Sequence, residues 1–311
     1  MNQAESTPKP QEISKRTKAY FEVLRPVNCI FGALSVLIGM LNSVPRGNIP
    51  SLFSSIGNIF TIICGLVVYF IVAGASNLIN DYFDLEIDKI KRPKRPMPRG
   101  DINETQAMQY FLGLSIAAIG FSIVVGLFTP NPILIPLSVA FFLFVGYIYA
   151  WKGKPSGFPG NLIVGISFSF GVPFGTMFIV EGTEIPIQIW FFYTTSALLL
   201  ISRELVKGME DMEGDKRFNI KTIANTKGTG LAMIMSLGFS IAAMVFFSSP
   251  LFFLESNIVY YILVILGDIA VVGSMVAILR DKDVKKNQSL SSLLLKGGAF
   301  LGLIAFVVAP F

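Results

Sequence analysis

Two short stretches of this 311-residue chain gather most of its chemistry-bearing side chains. The first, NLINDYFDLEIDKIKRPKRPMPRG, runs from Asn77 to Gly100, and the second, RELVKGMEDMEGDKRFNIKT, runs from Arg203 to Thr222. In the first, Asn80, Asp84 and Asp88 recur every four residues, with Asn77 and Asp81 falling into the same alternation of threes and fours. Residues so spaced share one face of an α-helix. Carboxylates so placed repel one another by about 0.2–0.5 kcal/mol per pair, so a cation is the natural counterweight. The second stretch repeats the chemistry, with Asp211 and Asp215 four apart and Glu204, Glu210 and Glu213 nearby. Histidine is absent, which removes Ser-His and Cys-His nucleophiles and histidine-ligated metals. A metal here is oxygen-ligated, and Mg2+ is the leading candidate, since it is commonly held by one or two carboxylates together with substrate phosphates. Two facing half-sites would close over a diphosphate, with the flanking lysines and arginines on its oxygens. Taken alone, either stretch also reads as a solvated charge run beside a membrane. Two together, each flanked by bases, are harder to obtain from topology alone.

The elements that must carry these stretches are apolar. Hydrophobic residues make up 53% of the chain and charged residues 14%, with a mean hydropathy of +0.65. A soluble domain carries about a quarter charged residues, so the apolar residues must face lipid. They fall into blocks at 19–42, 57–80, 106–128, 132–151, 161–180, 186–207, 229–250, 257–279 and 291–310. Each block is long enough for a helix to cross a hydrocarbon core of about 30 Å. The expectation is an all-α polytopic membrane protein of about nine transmembrane helices. Residues 1–18 form a polar tail with no cleavable signal, and 19–311 form a single transmembrane domain. Cys29 and Cys64 both lie in apolar blocks and read as buried thiols.

Basic residues orient the chain. Lys9, Lys15, Arg16 and Lys18 precede the first block, Lys89 to Arg99 follow the second, Lys152 and Lys154 follow the fourth, Lys207 to Lys227 follow the sixth, and Arg280 to Lys286 follow the eighth. The opposite loops carry only Arg46. The positive-inside rule then puts the N-terminus in the cytoplasm and Phe311 outside, in a multi-pass cell-membrane protein. The two charged stretches follow the second and sixth blocks, which suggests two pseudo-repeated four-helix halves plus one helix. They would face each other across a central cavity open to the cytoplasm.

NDYFDLEID resembles the NDxxDxxxD motif of the UbiA-type intramembrane prenyltransferases, and DMEGD resembles their second, DxxxD motif. The resemblance covers most of the chain. It implies nine helices around a central cavity, a prenyl diphosphate donor held through Mg2+, and transfer of the prenyl group to an acceptor. The implied catalytic and metal ligands are Asn80, Asp84, Asp88, Asp211 and Asp215, with Asp81 in support. The same resemblance implicates Arg25, Arg92, Arg95, Tyr147, Tyr149, Lys152, Arg203, Glu204 and Lys207 in substrate binding. Arg25-Pro26 also reads as an anchor followed by a helix-starting proline, and Tyr147, Tyr149 and Trp151 also read as an interfacial aromatic belt. Within the family, the RPxRPxPxG run, the second motif and the closing LKGGAFLGLIAF most resemble the archaeal digeranylgeranylglyceryl phosphate synthases. These join a geranylgeranyl chain to geranylgeranylglyceryl phosphate. Gly208 departs from that pattern, where an aspartate is expected.

The implied chemistry is dissociative: the diphosphate leaves, the allylic carbon gains cation character, and an acceptor nucleophile captures it. Phe168, Phe170, Phe174 and Phe178 offer aromatic faces for such a cation, and equally plain packing. Asp268, near the middle of the eighth block, is a structural or functional intramembrane acid. The partners expected are a prenyl diphosphate donor, a lipid-like glycerol phosphate acceptor and the membrane lipids. Nothing asks for nucleic acid or an obligatory protein partner. An aromatic acceptor for quinone synthesis is the alternative within the family. A transporter for an anionic substrate is the alternative of another class, disfavoured because nearly every charge lies at helix ends rather than at the midplane. In sealed cells, external thiol labelling is expected to reach cysteines placed at Ser55, Thr183 and Ser256 but not at Lys94, Lys154 or Asn219. Labelling at Lys94 from outside would reverse the topology.

Overall fold

The computed structural model describes residues 10–153, 156–217 and 220–311, and among these the regular elements are all helical. Lys9, Lys154, Asn219 and the start of the polar tail fall outside the described residues. The helices are α1 (Pro10–Val23), α2 (Pro26–Leu41), α3 (Ile56–Phe83), α4 (Leu85–Lys91), α5 (Glu104–Gly126), α6 (Leu134–Ile148) and α7 (Phe158–Ser169). After them come α8 (Gly171–Thr176), α9 (Ile187–Glu210), α10 (Met212–Arg217), α11 (Ile223–Lys227), α12 (Thr229–Ser248), α13 (Ile258–Arg280) and α14 (Lys285–Val308). Eight helical stretches among the described residues are long and apolar enough to cross a membrane, with α7 and α8 counted as one. The bent pair of α1 and α2 makes a ninth if it is one span. Ile116, Phe144, Ile234 and Ile269 are exposed along these helices, as lipid-facing side chains are.

The first span departs from the sequence expectation of one helix over 19–42. It breaks between Val23 and Pro26 with a bend of 45°. The cause is local: the Pro26 ring disfavours the right-handed helical conformation in the residue before it. Arg25 instead takes the left-handed region at φ 55, ψ 64, and Pro26 opens α2. α9 runs three residues beyond its apolar block, and α14 starts six before its own. Polar turns above a membrane remain helical without being hydrophobic, so a hydropathy window cannot see them.

Lipid offers no hydrophobic drive between helices, so close packing and buried polar contacts hold the bundle. At the α2/α8 crossing, a Cβ on Gly39 would overlap the carbonyl oxygen of Val172, and one on Gly175 that of Val36. Hydroxyls stitch other seams: Ser202 meets Ser236 and Ser240 at 2.8 Å each between α9 and α12, and Ser274 meets Ser291 at 2.7 Å between α13 and α14. Far from the charged loops, the Asn42 amide donates at 2.9 Å to the Phe306 carbonyl, joining the end of α2 to the end of α14. Gln188, at the start of α9, donates to the Asn42 carbonyl at 3.2 Å. The Phe192 and Phe306 rings stack beside it at 3.9 Å.

Valine at Gly39 or Gly175 is expected to force α2 and α8 apart and destabilise the detergent-solubilised protein by about 3 kcal/mol or more. A melting series followed by size-exclusion chromatography reads this directly. An unchanged melting temperature for both variants would disprove the close crossing.

Candidate active site

The two acidic stretches are built the same way. α3 ends at Phe83 and Asp84 closes it with φ −88, ψ 1, after which α4 begins. α9 ends at Glu210 and Asp211 closes it with φ −96, ψ 5, after which α10 begins. The amide hydrogen bonds run on through both breaks. Asp84 N–H reaches the Asn80 carbonyl at 3.0 Å and Asp88 N–H that of Asp84 at 2.8 Å. Asp211 N–H reaches the carbonyl of Lys207, and Asp215 N–H that of Asp211, at 2.9 Å each. The four-residue spacing read from sequence therefore survives a helix break. Each acidic loop also ends in a capping box, Asn103 with Gln106 before α5 and Thr222 with Asn225 at α11. In this correspondence Asp84 matches Asp211, Asp88 matches Asp215 and Asp81 matches Gly208. The acid absent at Gly208 is thus the second half's counterpart of Asp81, and a Cβ there would lie 3.4 Å from that of Thr222.

Burial decides how these acids must be paired. Asp81 and Asp88 are 2% exposed, Asp84 7% and Asp215 9%, and carboxylates withdrawn from water need compensating charge. Asp81 takes two guanidiniums, Arg25 in direct contact and Arg95 at 2.9 Å. Arg95 also grips Asp88, which has Arg92 at 3.7 Å. Lys91 reaches Asp215 at 3.2 Å and so joins the two acidic stretches across the vestibule. Asp211 is exposed, and Asn80 is half-buried with an Oδ1 that has no hydrogen-bond partner.

Arg25 owes its position to α3. Gly74 lies against Leu24, the Asn77 amide donates to the Leu24 carbonyl at 2.9 Å, and Asp81 holds the guanidinium. A left-handed non-glycine residue costs about 1–3 kcal/mol and persists only where its surroundings hold it. Here three residues of α3, each about one turn apart, do so. Asn77 was legible as part of the acidic face, but its partner is the broken helix.

The remaining predicted residues divide into two groups. Glu204 sits between Lys207 at 3.2 Å and Arg203 at 3.6 Å, and the buried Arg203 Nε lacks a partner. Half-buried Tyr149 lies within reach of the charges of Glu204 and Asp84. Tyr147 packs instead against Phe83 at 5.7 Å and Phe111 at 6.1 Å, and Lys152 lies 3.9 Å over the Trp151 ring. Tyr149–Gly153 form a π-helical turn, a form that often accompanies functional sites. Of the four phenylalanines, Phe174 and Phe178 pack edge to face in the core. Phe168 lines an apolar cavity of about 100 Å³ beside Thr195, Leu199 and Phe306. Asp268 accepts from the Ser248 hydroxyl at 2.6 Å, far from the acidic stretches along α13.

Sequence reasoning missed three links. Lys91 is one base among many in its run, and nothing in the sequence separates it from Lys89 or Lys94. Ser289 of α14 donates to Glu210, tying the last helix to the second stretch, and lies beyond the expected span boundary. Asn77's bond to Leu24 depends on a break that only Pro26 foreshadows.

Among the described residues, no three or more His, Cys, Asp or Glu side chains are grouped closely enough to hold a metal. The chain thus offers an incomplete oxygen set, with the unsatisfied Asn80 Oδ1 as a hard acceptor. That suits Mg2+, whose remaining ligands come from water and phosphate.

Replacing Asp81 by alanine is expected to lower stability by about 1.5–3 kcal/mol, the usual worth of hydrogen bonds to charged groups. Arg25→Gly, which keeps the left-handed backbone at no strain, is expected to lose less than Arg25→Ala. Thermal melts of the three variants in one detergent check the order. Equal melting of Arg25→Gly and Arg25→Ala would remove strain from the account.

The sequence matches the UbiA prenyltransferase family over residues 33–304. It is 34% identical over 299 residues to the digeranylgeranylglyceryl phosphate synthase of Thermococcus gammatolerans, covering 94% of this chain and 98% of that protein. A structure from a study of digeranylgeranylglyceryl phosphate synthase in membranes is 28% identical, with a TM-score of 0.76 over 95% of this chain and 98% of that one. A UbiA homologue from Archaeoglobus fulgidus, bound to DMAPP and Mg2+, shares the fold at 16% identity and a TM-score of 0.64, covering 92% of this chain and 99% of that one. The transporter alternative falls with these matches: the chain is a multi-pass membrane protein of the UbiA prenyltransferase family, and its enzymatic class is prenyl transfer.

Proposed function

We propose that the protein moves a geranylgeranyl group from geranylgeranyl diphosphate to geranylgeranylglyceryl phosphate, releasing diphosphate on the cytoplasmic side. The observation that carries this reading is the pair of Asp-closed helix breaks, Asp84 with Asp88 and Asp211 with Asp215, joined by the Lys91–Asp215 bridge. Asn80, Asp84, Asp88, Asp211 and Asp215 are the candidate Mg2+ ligands. Bound there, Mg2+ supplies charge neutralisation of the leaving diphosphate.

The side chains do the rest. Arg25, Arg92 and Arg95, now turned to Asp81 and Asp88, exchange part of that pairing for phosphate oxygens, which guanidinium forks suit. The bond from the allylic carbon to the diphosphate oxygen breaks as the glycerol hydroxyl oxygen forms its bond to that carbon. The hydroxyl proton leaves with the diphosphate, so no strong base is required. Apolar walls exclude water from the developing cation.

A second set of bases supports this acceptor. Arg203, with its buried and unpartnered Nε, stands with Lys207 beside Glu204, and the π-helical turn after α6 brings Tyr149 near that same carboxylate and carries Lys152. A phosphate on the acceptor suits this surplus, whereas an aromatic carboxylate brings one charge on a flat ring. The similarity to the Thermococcus gammatolerans enzyme supports the same acceptor.

The test is a donor and acceptor panel with purified protein, products identified by mass. With geranylgeranyl diphosphate and Mg2+, geranylgeranylglyceryl phosphate is expected to be prenylated and 4-hydroxybenzoate or a naphthoate ignored. Asp84→Ala and Asp215→Ala are expected to lose at least about 10- to 100-fold in metal affinity, and turnover with it. Lys152→Ala is expected to raise the acceptor KM more than the donor KM. Efficient use of an aromatic acceptor with none of the ether lipid would overturn the assignment.

A further inference from the structure

The two acidic stretches are alike in backbone and differ in the cations that hold them. In the first, Asp81 and Asp88 are held by guanidiniums from Arg25, Arg92 and Arg95. In the second, buried Asp215 is met by a lysine that comes from the other half of the molecule. Arginine presents a planar fork that can keep one carboxylate while engaging another partner, as Arg95 does between Asp81 and Asp88. Lysine is a compact point charge on a flexible stem, able to leave one oxygen for another nearby. The path of that stem is set by Gly214: a Cβ there would lie 3.4 Å from Lys91 Nζ and 3.5 Å from Cε, so a side chain larger than a methyl would stand where the stem passes.

We propose that the Lys91 ammonium is the resting counter-ion of Asp215 and yields that carboxylate to the divalent cation when the diphosphate arrives. The proposal rests on the reading of Asp215 as a metal ligand. An ammonium on Asp215 Oδ1 lessens the negative charge that the carboxylate offers a divalent cation, so the two compete electrostatically. With Lys91 in place, Asp215 is neutralised without metal, and a metal ion gains little by binding alone. A metal-diphosphate complex brings its own anionic oxygens, on which the displaced ammonium finds a new partner between the stretches. Lys91 is on this account a positioning residue that makes metal and donor bind together.

The test uses Mn2+ alone, titrated by electron paramagnetic resonance into metal-free, full-length protein in detergent, with wild type, Lys91→Met, Lys91→Arg and Asp215→Asn. Lys91→Met keeps the stem and removes the competing charge. It is expected to bind Mn2+ about two- to fivefold more tightly than wild type, the range set by a partly exposed ion pair. Lys91→Arg is expected to bind no more tightly than wild type. With turnover measured, Lys91→Met is expected to raise the KM for geranylgeranyl diphosphate while kcat changes little. A merely structural lysine would leave Mn2+ affinity unchanged or weaken it in Lys91→Met, and that result, or no Mn2+ binding to either protein, overturns the proposal. If instead Asp215→Asn binds Mn2+ as wild type does, the metal-ligand reading of Asp215 fails first and takes the proposal with it.

Discussion

Asp81 is the fixed point of the charged end of the bundle. A carboxylate so deeply withdrawn from water stays charged only by holding cations, and its two come from distant places: Arg25 at the break in the first span and Arg95 in the loop after α4. One side chain thereby fixes the entry angle of α2, the roll of α3 and the fold of the loop that carries Arg92 and Arg95. Arg99, further along that loop, pairs with Glu22 of α1 at 2.8 Å and closes the same circuit from the other end. Pro26 disfavours the right-handed conformation at Arg25, and the contacts with α3 select the left-handed one.

The second half solves the same problem with less. Gly208 stands where Asp81 would be, so there is no hub, and Asp211 lies open. Its order comes from neighbours: Ser289 on Glu210, the α11 capping box behind Gly208, and Lys91 from the first half. Two copies of one backbone device are thus held in different ways, one by its own arginines and one by contacts from elsewhere in the chain.

Much of this was legible in the sequence for physical reasons. Lipid forces apolar blocks of fixed length, so the spans could be drawn, and acids four apart stayed four apart through the helix breaks because the amide ladder continued. The broken first span was not drawn, although Pro26 was the signal, because hydropathy averages over a single residue. The ends of α9 and α14 were missed for the same reason. Which base meets which acid was beyond sequence altogether: Lys89, Lys91 and Lys94 differ only in where the backbone carries them. Lys152 and Tyr147, implicated by resemblance, sit in an aromatic cluster beside the vestibule, and their part depends on what the acceptor brings.

The bond from Asn42 to the Phe306 carbonyl joins the first long span to the last. During synthesis, that amide is made long before its partner carbonyl. Until α14 packs, the Asn42 amide keeps only its bond of 2.9 Å to the Ile38 carbonyl of its own helix. Gln188 and the stacked rings of Phe192 and Phe306 meet the same corner, so the junction of α2, α9 and α14 is complete only once α14 packs there. A chain without α14 leaves this corner half-made, and quality control in the membrane meets an amide at the end of α2 that has lost its partner in another helix.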